Sequence, residues 1–237
     1  MIKLRVKFSK KGRTCFISHL DLLRTFERSL RRANIPIAFS QGFNPHPKIS
    51  FGSVLPVGLE SEAEYVDFVL SEEYDSLRFK EILNQFLPTG LSVVAVEQVT
   101  PDAPSLMEEI NLAVYRLIID FELPVSKSEL ISDLEKFLAQ EKIIITKKTK
   151  KGEKKINIRP LIKHLKLVAT EQSTEKEWIL TLAVYMGSKG SVRLDQLLVE
   201  LNKFLPKIEY AKFLRTGLYI EKNNEIYCPL NKQLVKE

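Results

Sequence analysis

The hydrophobic pattern of this sequence predicts an α+β fold built as two tandem halves, each running β-α-β-β-α-β. Three observations predict it. Short runs that alternate apolar and polar residues succeed longer runs with apolar residues at helical spacing, in that order. The order then repeats after a break at residues 100–105, which holds Pro101 and Pro104 and has no apolar period. Hydrophobic residues make up 44% of the 237 and charged residues 28%, enough to bury a core in each half and too apolar for a disordered chain.

The first half opens with an alternating run at residues 2–9, a strand that ends in the turn Lys10-Lys11-Gly12. Ser18 and Asp21 form a capping box that starts a helix reaching Ala33. Leu22, Leu23, Phe26, Leu30 and Ala33 are its buried stripe. Pro36 forbids continuation and opens an extended run over 35–40. The loop Gln41-Gly42-Phe43-Asn44-Pro45-His46-Pro47 leads into a strand at 48–53, and Tyr65, Asp67 and Val69 alternate with Val66, Phe68 and Leu70 in another. Residues 77–87 follow as a helix with Phe79, Ile82, Leu83 and Phe86 inward, and 91–99 as a closing strand.

The second half repeats the sequence of elements. Residues 112–121 read as a strand and 128–140 as a helix with Leu130, Ile131, Leu134, Phe137 and Leu138 on one face. Residues 143–149 and 155–159 make a hairpin around Lys151-Gly152, 164–170 and 178–186 a strand pair, 192–205 a helix and 211–220 a last strand. Each half has the split βαβ order of a ferredoxin-like sandwich. The expected domains are 1–100 and 110–237, the second carrying an extra basic hairpin.

Charge is segregated along the chain. Residues 1–48 hold 11 Lys and Arg against 2 acids, 49–141 hold 5 against 18, and 142–237 hold 20 against 10. Basic ends on a compact body suit a polyanion such as RNA. The same numbers also allow the acidic middle to pack beside the basic ends and neutralise them.

Within the first helix, Arg24, Arg28, Arg31 and Arg32 fall at i, i+4, i+7 and i+8 and stack along one face, with only Glu27 to offset them through Arg31. Guanidinium forks match phosphate oxygens, although a solvated basic face has the same pattern. In Asn44-Pro45-His46-Pro47-Lys48 two prolines stiffen the chain and present His46 and Lys48, a pair able to contact or move protons at a ribose phosphate. A rigid turn accounts for the same residues. His19, in the helix's first turn, is a further candidate base or a packing residue. Lys147, Lys148, Lys150, Lys151, Lys154 and Lys155 concentrate six cations around one acid in the expected hairpin. Such lysines meet a nucleic-acid backbone rather than its bases, or guard a sheet edge. Gly187, Lys189, Gly190 and Ser191 precede a predicted helix and could hold one anion there, but lack the spacing of a nucleotide P-loop.

Several chemistries are absent from the pattern. Cys15 and Cys228 lie far apart and form neither a disulfide framework nor a metal motif, so no metal and no cofactor is expected. No apolar run approaches the ~18 residues of a membrane span, and the opening residues 1–8 alternate like a strand rather than forming a signal-peptide core. A cytoplasmic protein without membrane contact is the expectation.

The run Phe16-Ile17-Ser18-His19-Leu20-Asp21-Leu22-Leu23-Arg24, with Arg28, Arg31-Arg32-Ala33, Pro36 and Ser40-Gln41-Gly42-Phe43-Asn44-Pro45-His46-Pro47-Lys48-Ile49-Ser50-Phe51, resembles the bacterial radical-SAM-linked proteins. Members of that family are encoded beside, or fused to the end of, a radical SAM protein, so the resemblance implies a radical SAM partner. The tightest similarity covers about residues 8–70. There are looser echoes at Lys151-Gly152, Ile158-Arg159-Pro160 and Leu214-Arg215-Thr216-Gly217-Leu218-Tyr219. The combined expectation is a non-catalytic RNA-binding accessory protein serving tRNA or rRNA modification. The alternatives are a metal-independent endoribonuclease using His19 or His46 with Lys48, and a protein scaffold that binds the radical SAM partner without RNA.

Overall fold

The computed structural model describes residues 1–149, 152–168 and 175–235, and the backbone alone of 147–149. The fold is α+β with mostly antiparallel strands, in two compact units: Met1–Asn111 with Arg215–Glu237, and Leu112–Leu214. The second unit closes earlier than the expected 110–237, because the chain beyond Arg215 is tied by polar contacts to the first unit's strands.

Unit one contains β1 (Ile2–Lys10), α1 (His19–Arg32), β2 (Ile49–Phe51), β3 (Glu60–Leu70), α2 (Ser76–Phe86), β4 (Leu91–Val99) and the short α3 (Leu106–Glu109). Strand β1 lies between β4 and β3, and β2 pairs with β3, every pairing antiparallel. Alternation along β1 decides its two faces. Leu4, Val6 and Phe8 go into a core with Leu22, Phe26 and Leu30 of α1, Phe79 and Leu83 of α2, and Val66, Phe68 and Leu70 of β3. The Phe8, Phe26 and Phe68 rings meet edge-on or tilted, with Phe26 5.2 Å from Phe8 and 5.6 Å from Phe68.

Helix α1 starts where the sequence indicates. Ser18 Oγ accepts from the Asp21 amide at 3.2 Å, and its hydroxyl donates to the Asp21 carboxylate at 2.7 Å. Asn34, in the left-handed region at φ 52°, then turns the chain after Arg32 so that Ile35 can enter the core. Ser105 caps α3 through the Glu108 amide, so the predicted linker at 100–105 ends in a cap and is followed at once by a helical turn that the sequence reading did not place.

Unit two contains β5 (Leu112–Phe121), α4 (Lys127–Leu138), β6 (Ile144–Thr149), β7 (Gly152–Asn157), β8 (Ile162–Leu167), β9 (Glu177–Tyr185) and α5 (Leu194–Leu201), with the first part of β10 (Ile208–Lys222). Antiparallel pairing joins β5 to β9 and β9 to β8, with β10 beside β5, while β6 and β7 form a separate hairpin. Helix α5 is shorter than the apolar period of 192–205 suggests: Arg193 caps it without a side-chain hydrogen bond, and the chain turns after Leu201. Strand β11 (Glu225–Tyr227) then pairs with β10 through Lys222 and Glu225, across a turn in which Asn223 and Asn224 both take positive φ.

Candidate nucleic-acid interface

The cations of the basic N-terminal stretch divide into two populations, both in unit one. The first is internal. Arg5 is completely buried, and each of its five N–H donors has an acceptor. Nε and Nη2 grip the two Asp67 oxygens at 2.9 and 3.0 Å, and Nη2 also reaches the Pro104 carbonyl at 2.9 Å. Nη1 contacts Glu109 and the Pro229 carbonyl, both at 3.2 Å. Burial alone would lower the Arg5 pKa, but Asp67 and Glu109 overcome it and hold the guanidinium above its ordinary value. Lys3 adds a bond to the Ala103 carbonyl at 2.8 Å, and Lys232 reaches Glu109 at 2.5 Å. One guanidinium thus fastens β1, the 100–109 segment and the C-terminal segment together.

A second buried group lies at the other end of β3. Arg215 donates to Glu64 at 2.9 Å and to Ser53 Oγ at 3.2 Å, and both charged residues are 3% exposed. Lys10 is 1% exposed, and its ammonium donates to the Cys15 and Ile17 carbonyls at 3.2 and 3.0 Å. Burial pushes the Lys10 pKa below its usual value, against the opposing pull of Cys15 and Glu64. Tyr65, whose hydroxyl is 4.0 Å from Cys228 Sγ, is raised far above an ordinary phenol, chiefly by burial. Within this unit, acids from the middle of the sequence therefore do neutralise cations from its ends.

The second population is external. Arg24, Arg28, Arg31 and Arg32 are all exposed on α1. Arg24 makes an exposed pair with Asp21 at 3.5 Å, and Arg32 places its guanidinium 5.4 Å from the Phe86 ring centroid. Arg28 and Arg31 have no ion pair among the described residues, and the expected Glu27 partner does not engage Arg31. A guanidinium in this state is hydrated and can exchange water for phosphate oxygens at little cost.

The remaining sequence-derived candidates are scattered around these. His19 is the first residue of α1, its ring 4.9 Å from Phe51 and nearly perpendicular to it. His46 is exposed on a loop closed by its own backbone: its carbonyl accepts from the Ser40 amide at 2.9 Å, and its amide donates to Ser40 Oγ at 3.0 Å. The Lys48 amide donates to the Ala38 carbonyl at 2.8 Å, and its side chain is half-buried. No hydrogen bond or ion pair joins the side chains of His19, His46 and Lys48 among the described residues. In unit two, Lys154 and Lys155 are exposed on β7, while Lys150 and Lys151 lie outside the described residues, as do the side chains of Lys147 and Lys148. Gly187–Lys189 forms a 3-10 turn, and α5 begins only at Leu194. Gly190 has φ 133°, and a Cβ there would come within 3.0 Å of Leu161, so turn geometry and packing both require the glycine. Lys189 rests its ammonium 4.0 Å from the Tyr185 ring centroid.

Among the described residues no group of three or more His, Cys, Asp or Glu is placed to hold a metal ion, and no helix is long and apolar enough to cross a membrane. Sequence reasoning did not find the Arg5 and Arg215 clusters. The one available signal was the acid at Asp67 within the apolar second half of β3, residues 65–70, at the register position opposite Arg5.

These features belong to a defined class of bacterial protein. Residues 3–194 match the family described as an uncharacterized protein conserved in bacteria (DUF2344), and the chain belongs to that family. No curated protein matches the sequence. Among solved structures, 91% of the chain superposes on 48% of a chain in the crystal structure of a Cbf5-Nop10-Gar1 complex, with a TM-score of 0.50 and 8% identity. A structure of an H/ACA ribonucleoprotein bound to a substrate RNA containing 2′-deoxyuridine gives a TM-score of 0.47 and 10% identity, over 90% of this chain and 47% of that one. The chain spans about half the length of these chains, and the likeness to the first is one of fold.

Proposed function

We propose that this protein is a non-catalytic RNA-binding accessory protein whose α1 arginines grip the phosphate backbone. The observation that carries the proposal is the exposed row of Arg24, Arg28 and Arg31, in which Arg28 and Arg31 have no acidic partner among the described residues. Elsewhere in the same unit the buried cations Arg5, Lys10 and Arg215 are held by carboxylates or backbone carbonyls, whereas Arg28 and Arg31 stand exposed on α1. The sequence supports this further: from Arg28 to Leu59 there is no Asp or Glu, so the helix's end and the loops after it repel no polyanion. Lys48, Lys154 and Lys155 would extend the phosphate track, as would Lys147, Lys148, Lys150 and Lys151, with Lys189 and its neighbouring Gly187, Gly190 and Ser191 as a further anion contact.

The partner in this reading is a radical SAM enzyme and the task is modification of tRNA or rRNA in the cytoplasm. Its support is the resemblance carried by residues 16–51. Each unit is read as a ferredoxin-like sandwich, supported by the antiparallel pairing of β1 with both β3 and β4 and of β9 with both β5 and β8. The test is fluorescence anisotropy with structured RNA at about 50 and 200 mM salt. A phosphate-gripping surface gives a steep loss of affinity between the two. Absence of binding at the lower salt overturns the reading.

A further inference from the structure

Unit one also exposes aromatic side chains beside the arginine helix. Phe43 is fully exposed at 110% of its reference area, Phe16 at 70% and Phe39 at 50%. Phe43 does not hang on a slack segment. Its loop is closed by a bridge between Phe39 and Pro47 and by the two Ser40–His46 hydrogen bonds, at 2.9 and 3.0 Å. Pro45 and Pro47 limit the remaining backbone freedom, and Gly42 supplies the turn at φ 122°. A phenyl ring carried into water on a stiffened loop has part of the backbone ordering cost already met, which favours a ligand with a flat apolar face.

The helical period places one of the four arginines, Arg31, on the side of α1 that faces the strand into which this loop runs. Ser29 donates to the Phe86 carbonyl and Arg32 stacks on Phe86, so those two positions mark the flank of α1 that faces α2. His19 lies on Phe51 and marks the flank over β2, the strand into which the loop runs. On the wheel, Arg24 and Arg28 form the outer crest of α1, while Arg31 and Leu20 fall on the β2 side of it. Leu20 is 62% exposed there.

Exposed aromatics and unpaired arginines in one unit, within a stretch that has no acid from Arg28 to Leu59, fit a ligand that joins flat bases to phosphates. Resting on the RNA reading above, we propose that Phe43, with Phe39, stacks on unpaired bases, so that the RNA class bound is a single-stranded or looped segment rather than continuous duplex. Stacked bases inside a duplex offer no free face to a phenyl ring, whereas a loop or bulge does.

The test compares two labelled RNA probes with the same number of phosphates, a hairpin with a large unpaired loop and a continuous duplex, against wild type, Phe43→Ala, Phe43→Trp and the double variant Arg28→Glu/Arg31→Glu. Phe43→Ala should weaken binding to the looped probe by about five-fold or more. It should leave duplex binding and the salt slope unchanged, and Phe43→Trp should restore the loss. Equal affinity of wild type and Phe43→Ala for both probes, with the double arginine variant still defective, overturns stacking while the phosphate grip stands, and leaves the apolar loop to a protein partner. No effect of the double arginine variant overturns the phosphate grip itself. The full exposure of Phe43 means its substitutions should melt like wild type, so a loss of affinity reports contact rather than unfolding.

Discussion

Arg5 and Arg28 are the same residue type and both lie within the basic first 48 positions, yet the fold uses them in opposite ways. Arg5 sits on the β1 face away from α1, where Asp67, Glu109 and two backbone carbonyls take all five of its donors. Arg28 sits on the outer crest of α1 with no ion pair among the described residues. A buried charge needs complete pairing because desolvation costs several kcal/mol per ion, while an exposed one needs none because water supplies it. Net charge therefore overstates the surface available to a polyanion, since part of the N-terminal excess is spent inside unit one. Of the exposed cations that remain in this stretch, Lys11 and Arg13 lie before α1 and the four arginines lie on it.

The comparison can be broken most forcefully at its buried end. Replacing Arg5 by Met leaves the buried Asp67 carboxylate with only Lys3, 3.5 Å away, as a counter-charge and Glu109 with only Lys232, and should destabilise the protein by about 3 kcal/mol in urea unfolding. Arg215→Met should act similarly through Glu64, which is 3% exposed. A loss well under 1 kcal/mol in both would mean that neither cluster is the fastening described. Under native conditions, whatever fraction of Arg5→Met stays folded should keep its RNA affinity.

A smaller effect depends on pH. Tyr65 has a phenol raised in the folded state, so its contribution to stability is complete below about pH 10 and is lost as pH rises further. Tyr65→Phe should flatten the alkaline decline in melting temperature above pH 10 without altering the neutral value much. An unchanged alkaline profile would show that other groups dominate that window. At the external end, Ser18→Ala removes the α1 cap and should cost about 1 kcal/mol, measurable as a shift in the urea midpoint. If the RNA surface needs α1 to be formed to its first turn, binding should weaken in proportion to the loss of helix. The smallest stability effect belongs to Arg28→Glu/Arg31→Glu, whose urea midpoint should stay at the wild-type value because both residues are exposed.

Periodicity made much of unit one legible. The alternation of Leu4, Val6 and Phe8, the Ser18 cap and the Leu22–Phe26–Leu30 stripe each determine local structure without reference to anything distant. The arginine row was legible for the same reason, since its exposure follows from helical spacing once the stripe is known. The buried ion clusters were not. Arg5 and Glu109 lie 104 positions apart, and Arg215 and Glu64 lie 151 apart, and nothing local in the sequence marks either pair. The loop aromatics show a different limit. Phe43 falls in the loop 41–47 and Phe39 in the extended run 35–40, where nothing in the sequence marks either ring, and only the closed loop reveals that no core receives them. The Gly187–Gly190 segment shows the reverse, because its glycines suggested an anion cradle while the backbone and Leu161 already require Gly190.

The central claim is that the exposed α1 arginines, rather than the net charge of the chain, make this protein an RNA binder. The most direct measurement is the salt dependence of structured-RNA affinity for wild type and for Arg28→Glu/Arg31→Glu. The account predicts a large loss of affinity in the variant at low salt and a log–log salt slope shallower by about 2, one unit for each phosphate contact removed. An equal slope and equal affinity in a variant that melts like wild type would contradict it.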